Sequence, residues 1–183
     1  MSPHLWNAPN MDEPTNNPLL QPWQTPYGLP PFERIRPEHY GPAFLHAMRT
    51  HRAEVDAIAE NNAPPTFDNT MAAFDRCGRE LGRIERLFFN LAASETSPAL
   101  QAIEREMSPQ LAAHYSAIHL HATLFARIEQ LFQRREKLPL TPEQLRLVER
   151  IHLDFVRAGA RLSAAAKTRY SAIVERPAEL TTR

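Results

Sequence analysis

Residues 67–91, FDNTMAAFDRCGRELGRIERLFFNL, carry the hydrophobic repeat that decides the fold. Aromatic and aliphatic side chains recur there every seven residues, at Phe67, Phe74, Leu81 and Phe88. A second series lies on interleaved positions, at Thr70, Cys77, Ile84 and Leu91. Such a double heptad series is typical of a helix face that packs against a neighbouring helix. We therefore predict one continuous helix, which Thr66 or Asp68 would cap by accepting hydrogen bonds from its first amides.

Helical periodicity continues on both sides of this stretch. Before it, apolar residues recur at helical intervals from Tyr40 to Ile58, and Pro64-Pro65 follows as a stop signal. After it, Ser97-Pro98 is typical of a helix start, because proline is tolerated in the first turn. Proline costs about 3 kcal/mol in a helix interior. Pro109 therefore predicts a kink or a break near Ser108.

The C-terminal half of the sequence predicts three more helices. An apolar segment from Leu124 to Phe132 should end before Pro139. Residues 141–144, TPEQ, combine an N-cap, a first-turn proline and a capping-box glutamine, and the helix that they start should end near Gly159. Ser163 can cap a last helix, which Pro177 should bend or stop. We expect an all-α fold, an antiparallel bundle or set of hairpins with about five or six helices.

Proline divides the chain into two regions. The sequence holds 17 prolines and only 5 glycines, and ten of the prolines lie within the first 42 residues. Each proline removes a backbone donor and disfavours a helical residue before it, so that this region cannot form a regular helix. We expect a proline-rich extended arm over residues 1–36, disordered over 1–16, and a helical domain over 37–183.

Composition also limits the classes of function. The 21 Lys and Arg residues balance 21 Asp and Glu residues, which disfavours a dedicated nucleic-acid binder. No apolar run approaches the roughly 20 residues of a membrane span, and no signal peptide is visible. Cys77 is the only cysteine, which excludes an internal disulfide and favours a cytoplasmic protein.

The histidines do not predict a metal site. His119 and His121 are two residues apart, so that on a helix they would point to different faces. We interpret these two, like His46, His51 and His152 beside Asp154, as solvated or core-edge side chains. The zinc motif His-Glu-x-x-His does not occur in the printed sequence.

The remaining candidate groups favour structural roles. A stripe of arginines at spacings of three and four could bind phosphate or carboxylate, but Glu80 and Glu85 interleave with it, which favours a solvated face with local ion pairs. The stripe consists of Arg76, Arg79, Arg83 and Arg86. Cys77 lies on the inner helix face with no base suggested nearby, and Phe88-Phe89 is typical of helix packing. We expect no catalytic, cofactor-binding or metal-binding residue in this chain.

An ordered series of short motifs resembles the thimet-oligopeptidase-like zinc metallopeptidases. The series begins with residues 17–20, NPLL, residues 29–32, LPPF, and residues 36–40, RPEHY, and continues through 67–70, FDNT. Residues 124–128, LFARI, residues 147–149, LVE, and residues 155–162, FVRAGARL, resemble the peptidyl-dipeptidase branch. The series spans nearly all of residues 17–183. The resemblance rests on the order and the number of these motifs more than on any single one.

The resemblance implies a helical portion of a longer, all-helical enzyme. In that family zinc lies on a His-Glu-x-x-His helix in the C-terminal half, which has no counterpart in the printed sequence. The N-terminal helices help to wall a channel that admits short oligopeptides. The resemblance therefore implies an N-terminal portion that is inactive alone, with zinc and the catalytic half supplied elsewhere. Pro177 departs from the family pattern, in which that helix usually continues uninterrupted.

Two other functions remain open at this point. The chain could be a stand-alone helical module that binds a peptide or a protein, or the arginine stripe could bind nucleic acid. Loss of a partner half would expose apolar surface, which also predicts self-association.

Overall fold

Six α-helices make up most of the described part of the chain, which comprises residues 16–163, 165–167 and 169–170 of a computed structural model. They are α1 (Tyr40–Ala59), α2 (Ala73–Arg76), α3 (Arg79–Ser94), α4 (Pro98–His119), α5 (Ala122–Arg134) and α6 (Pro142–Arg157). No strand occurs within these ranges. The predicted all-α class is confirmed. No helix in the described portion is both long and apolar enough to cross a membrane.

Helix α1 organises the fold, because it contacts α3, α4 and α5. Two hydrophobic clusters lie along it. The first cluster packs the start of α1 against α3 and the first half of α4, and includes Phe44, Leu81, Phe88 and Met107. The second cluster packs the end of α1 against α5 and α6, and includes Val55, Ile128, Val148 and Phe155.

The predicted continuous helix over residues 67–91 is wrong. A turn of π-helix over Phe67–Ala72 leads into the short α2, and the chain then breaks before α3. Cys77 is extended, with ψ of 162°, and Gly78 is left-handed, with φ of 67°. Neither conformation continues an α-helix. The heptad series is real, but its first half packs into the second cluster and its second half into the first.

Close packing explains why the break falls at Gly78. A Cβ atom at this position would lie 2.7 Å from the ring of His51, where it does not fit. The left-handed φ also favours glycine. The freed amide of Gly78 donates a hydrogen bond of 2.7 Å to Glu54 Oε2, which gives the backbone at the break a side-chain partner from α1.

The helix starts agree with the sequence signals. Thr66 caps the π-helical turn Phe67–Ala72 with a capping box to Asn69. Ser97 caps α4, because its side chain accepts a hydrogen bond from the amide of Leu100. Thr141 forms the predicted capping box with Gln144. Each of these caps satisfies backbone amides that have no partner inside the helix.

Of the kink or break predicted near Ser108, the break is absent, because α4 runs from Pro98 to His119 through Pro109. Met107 and Leu111 on either side of the proline are buried in the first cluster, and this packing offsets the lost backbone hydrogen bond.

The helix ends in the C-terminal half follow the prediction. Helix α5 and the 3₁₀ turn after it end before Pro139, and α6 ends close to Gly159, whose φ is 90°. The side chain of Ser163 accepts a hydrogen bond from the amide of Ala166 at the start of the next helical residues. Pro177 lies outside the described residues.

The arm packs on the helices from Asn17 onward. Asn17 donates to the carbonyl oxygen of His39 over 2.8 Å, and Leu19 is fully buried in the first cluster. Arg83 of α3 donates to the carbonyl oxygen of Leu19 over 2.8 Å, and its guanidinium lies 4.7 Å from the ring centroid of Trp23. These contacts join the arm to α3.

Replacement of Arg83 by Met should destabilise the chain by about 1–2 kcal/mol, because it removes a charged hydrogen bond and a cation–π contact but keeps the aliphatic stem. The free energy of unfolding in urea, followed by circular dichroism, measures the loss. Arg79 is exposed, so Arg79→Met is the matched control and should leave stability within about 0.5 kcal/mol of the parent. Equal stability of the two variants would contradict the anchoring role of Arg83.

Candidate functional site

A layer of polar side chains separates the two hydrophobic clusters, at the level where the chain breaks between α2 and α3. His51 of α1 is buried, and its Nδ1 lies 3.1 Å from Nε2 of His114 in α4. Its other ring nitrogen, Nε2, lies 3.4 Å from Sγ of Cys77. This layer, defined by His51, Cys77, His114, Tyr115 and Glu85, is called the polar layer below.

Hydrogen-bond directions in the polar layer fit neutral side chains. The thiol of Cys77 donates to the carbonyl oxygen of Phe74 over 2.9 Å, which leaves the sulfur as an acceptor for His51 Nε2–H. His51 Nδ1 is then the acceptor for His114 Nε2–H. This chain of donors and acceptors pairs both nitrogens of His51 and Nε2 of His114 without a positive charge.

The electrostatics of the polar layer also favour neutral imidazoles. Burial, then the neighbouring His51 and Arg52, lower the pKa of His114 to about 4. Burial lowers the pKa of His51 as well, although Glu54 acts in the opposite direction. A protonated, positively charged form of either ring would lose hydration in this buried position. It would also lie close to the other ring, since His51 Nδ1 and His114 Nε2 are 3.1 Å apart.

Cys77 and His51 resemble a nucleophile and its base, a pairing that the sequence did not suggest because 26 residues separate them. The local environment opposes that chemistry. Burial, then the negative charge of Glu54, raises the pKa of the Cys77 thiol to about 12. A nucleophilic cysteine must be ionised to the thiolate near neutral pH. Cys77 instead remains a protonated thiol in this environment.

A second hydrogen bond extends the polar layer towards the first cluster. The hydroxyl of Tyr115 donates to Glu85 Oε2 over 2.6 Å. Burial raises the pKa of Glu85, and burial together with this hydrogen bond raises the pKa of Tyr115. The pair crosses from α4 to α3 and satisfies two polar groups that the fold partly buries.

His119 and His121 have separate structural partners. His119 Nδ1 lies 2.8 Å from the carbonyl oxygen of Tyr115, and its ring centroid lies 5.1 Å from that of Phe155. His121 caps α5, because its Nδ1 accepts a hydrogen bond from the amide of Leu124. The structure therefore does not bring these two histidines together on a common ligand.

His46 and His152 also lie apart from each other. His46 Nε2 is 3.8 Å from Glu80, at the partly exposed edge of α3. His152 is buried, pairs with Glu129 at 3.0 Å and stacks on Phe132 with 3.6 Å between centroids. Asp154, its neighbour in sequence, pairs instead with Arg150.

The arginine stripe divides into two kinds of residue. Arg76, Arg79 and Arg86 are exposed, as predicted for a solvated face. Arg83 is partly buried beneath the arm, so the prediction of a solvated position is wrong there, because Leu19 and Trp23 cover it.

Phe88 and Phe89 also differ. Phe88 is fully buried and packs edge-on against Tyr40 and Phe44, whereas Phe89 is 36% exposed. The predicted role of this pair in helix packing therefore describes Phe88 better than Phe89.

The donors in the polar layer do not fit a zinc ion. His114 faces one nitrogen of His51 and Cys77 faces the other, so that the three donors do not converge on one point. Across the described ranges, no group of three or more His, Cys, Asp and Glu side chains could hold a metal ion.

The polar layer predicts lower stability in mild acid. Unfolded histidine takes up a proton near pH 6.5, whereas folded His114 does so near pH 4, so the free energy of unfolding should fall as the pH drops from about 6.5 towards 4. The raised pKa of Glu85 has the opposite sign and offsets part of this fall. Urea denaturation at pH 7 and pH 5 measures the difference, which should be smaller for His114→Gln. The same pH dependence in parent and variant would contradict the buried, neutral pair.

The thiol of Cys77 should react slowly in the folded chain. A pKa raised to about 12 reduces the thiolate fraction at pH 8 by roughly 1,000-fold or more relative to an unfolded cysteine. The rate of labelling by a disulfide reagent, measured with and without denaturant, tests this expectation. Rapid stoichiometric labelling of the native chain would mean that Cys77 is an activated thiol.

Comparisons with individual proteins support the family resemblance, although no protein-family model matches the chain. Dipeptidyl carboxypeptidase of Escherichia coli K12 is 41% identical over 167 residues, which cover 91% of this chain and 24% of that protein. Dipeptidyl carboxypeptidase of Salmonella typhimurium LT2 is also 41% identical, over 85% of this chain and 23% of that protein.

Oligopeptidase A of Escherichia coli K12 is 30% identical over 164 residues, which cover 90% of this chain and 24% of that protein. The chain thus spans about a quarter of the length of the curated relatives that it matches. The resemblance predicted from the ordered motifs is confirmed: over nearly its whole length the chain is similar to one quarter of the dipeptidyl carboxypeptidases and oligopeptidase A.

Proposed function

We propose that this chain is the N-terminal, channel-walling helical portion of a zinc peptidyl-dipeptidase, an enzyme that releases dipeptides from the C-terminus of oligopeptides. The observation that carries the proposal is the uneven coverage, which is 91% of this chain but 24% of the related dipeptidyl carboxypeptidase at 41% identity. Residues over nearly the whole chain therefore have counterparts in a peptidase that is about four times as long.

The geometry of the described residues supports a scaffold role. The titratable groups at the centre of the fold are held neutral or paired with one another, and the buried Arg127 is occupied by the carbonyl oxygens of Asn61 and Ala63. Groups that are engaged in this way hold helices and loops in position. In the proposed enzyme these helices would form a wall that restricts access to short, unstructured peptides.

The same proposal divides the chemistry between two parts of the enzyme. Zinc, the attacking water and the residues that bind the substrate carboxylate would belong to the remaining part of the protein, because the donors of the polar layer do not fit the metal. This chain would be inactive alone, and its principal partner would be that remaining part. The lone cysteine favours a reducing compartment, and we place the enzyme in the cytoplasm.

A stand-alone helical module that binds a peptide or a protein is the second candidate. The exposed apolar side chains of Tyr27, Leu29 and Phe32 favour it, because such groups are common at recognition surfaces. This alternative predicts saturable peptide binding by the isolated chain without hydrolysis.

Two assays test the proposed function. The isolated chain should not hydrolyse a blocked tetrapeptide with added zinc beyond a heat-denatured control. A chimaera of the Escherichia coli dipeptidyl carboxypeptidase, in which this chain replaces the matching quarter, should hydrolyse the same peptide. The parent enzyme without its matching segment is the control and should be inactive.

Either of two results would overturn the proposal. One is zinc-dependent turnover by the isolated chain that a chelator abolishes. The other is a chimaera that is folded by circular dichroism and sedimentation but has no peptidase activity.

A further inference from the structure

The segment Thr25–Phe32 of the arm, called the aromatic turn below, presents large apolar side chains to solvent. Tyr27 is 99% exposed, Leu29 54% and Phe32 51%. The other large apolar side chains with substantial exposure in the described part of the chain, namely Phe89, Leu153 and Leu162, are all less exposed than these three. Three such side chains within six residues form a concentrated apolar surface.

Hydrogen bonds hold the aromatic turn in one conformation. The amide of Gly28 donates to the carbonyl oxygen of Thr25 over 3.0 Å, and the hydroxyl of Thr25 donates to the carbonyl oxygen of Leu29. The end of the turn is fixed as well, because Pro31 is buried and its carbonyl oxygen accepts from the amide of Ile35 over 3.2 Å. The apolar side chains therefore extend from a constrained backbone.

Tyr27 has an unfavourable backbone conformation for an exposed aromatic residue. Its φ is +60°, in the left-handed region that non-glycine residues rarely adopt because it is energetically unfavourable for them. Since the side chain is almost fully exposed, none of its contacts within the described residues repays this cost. A partner that buries the ring would repay it, and the rigid turn reduces the entropy lost on binding.

A cleft of about 540 Å³ begins where the aromatic turn ends. Phe32, Ile35 and Tyr40 line one part of it, and Leu91 and Leu100 of α3 and α4 line another. The hydroxyl of Tyr40 is buried and has no hydrogen-bond partner among the described residues. An apolar side chain from a partner would fit this cleft.

The charges around this surface favour a protein partner. The exposed residues nearby include Glu33, Arg34, Arg36 and Glu95, which carry both signs. An apolar centre with a rim of mixed charge is the usual anatomy of a protein interface, whereas a polyanion or an anionic membrane would require a net positive surface.

We propose that the aromatic turn and the adjoining cleft are the surface on which the remaining part of the peptidase packs. This inference rests on the proposed function. The match to the Escherichia coli dipeptidyl carboxypeptidase covers 91% of this chain, so it necessarily includes residues 25–32. A counterpart of this segment therefore falls within the matched region of a protein whose other three quarters can cover it, which favours that occupant over a second copy of this chain.

The chimaera with the Escherichia coli enzyme tests this surface with the variants Tyr27→Asn and Phe32→Gln. Asparagine tolerates a left-handed φ, so Tyr27→Asn keeps the turn and removes the ring. We expect each variant to lower the melting temperature of the chimaera by about 2 °C or more. In the isolated chain the same substitutions should leave the melting temperature unchanged or slightly raised. Tyr27→Phe is the matched control and should retain the stability of the parent chimaera.

The outcomes separate this inference from the proposed function. Unchanged melting of both chimaera variants would overturn the docking surface, even if the chimaera hydrolyses peptides. A chimaera that sediments as a dimer, and becomes monomeric with Tyr27→Asn, would also overturn it in favour of a second copy. A folded but inactive parent chimaera would instead contradict the proposed function, whatever the variants do.

Discussion

The close contact between Gly78 and the ring of His51 determines how the helices of this chain are arranged. A glycine is required where the ring comes within 2.7 Å of a Cβ position, and its left-handed backbone ends α2 and starts α3. The break directs Phe74 into one hydrophobic cluster and Leu81 into the other. A Cβ at residue 78 could not coexist with this position of His51, so the division of the core depends on this contact.

The local signals in the sequence predicted most of the helix boundaries. The capping boxes at Thr66 and Thr141 and the cap at Ser97 lie where the sequence placed them, because such signals depend on residues only three apart. Pro109 shows the limit of local reasoning, since burial of Met107 and Leu111 outweighs the helix-breaking tendency of one proline.

The polar layer and the break at Gly78 could not be predicted from the sequence. His51, Cys77 and His114 are separated by 26 residues or more, and the packing of α1 against α2 and α4 brings their side chains together. The heptad pattern across residues 67–91 also gave no sign of the break, because both halves keep the same apolar phase while packing in different clusters. The Cys77-Gly78 dipeptide was the available signal, since glycine disfavours a helix interior.

The contacts of the polar layer explain why a sequence without a catalytic motif still buries so many titratable groups. Two imidazoles and a thiol form one hydrogen-bonded series, and a phenol and a carboxyl group form a separate pair. Together they join α1, α3, α4 and the break before α3 at the boundary between the two hydrophobic clusters. Replacement of one member would leave its partner buried without a hydrogen bond, which costs more than the bond itself contributes. A network of this kind therefore fixes the positions of α1, α3 and α4 relative to one another.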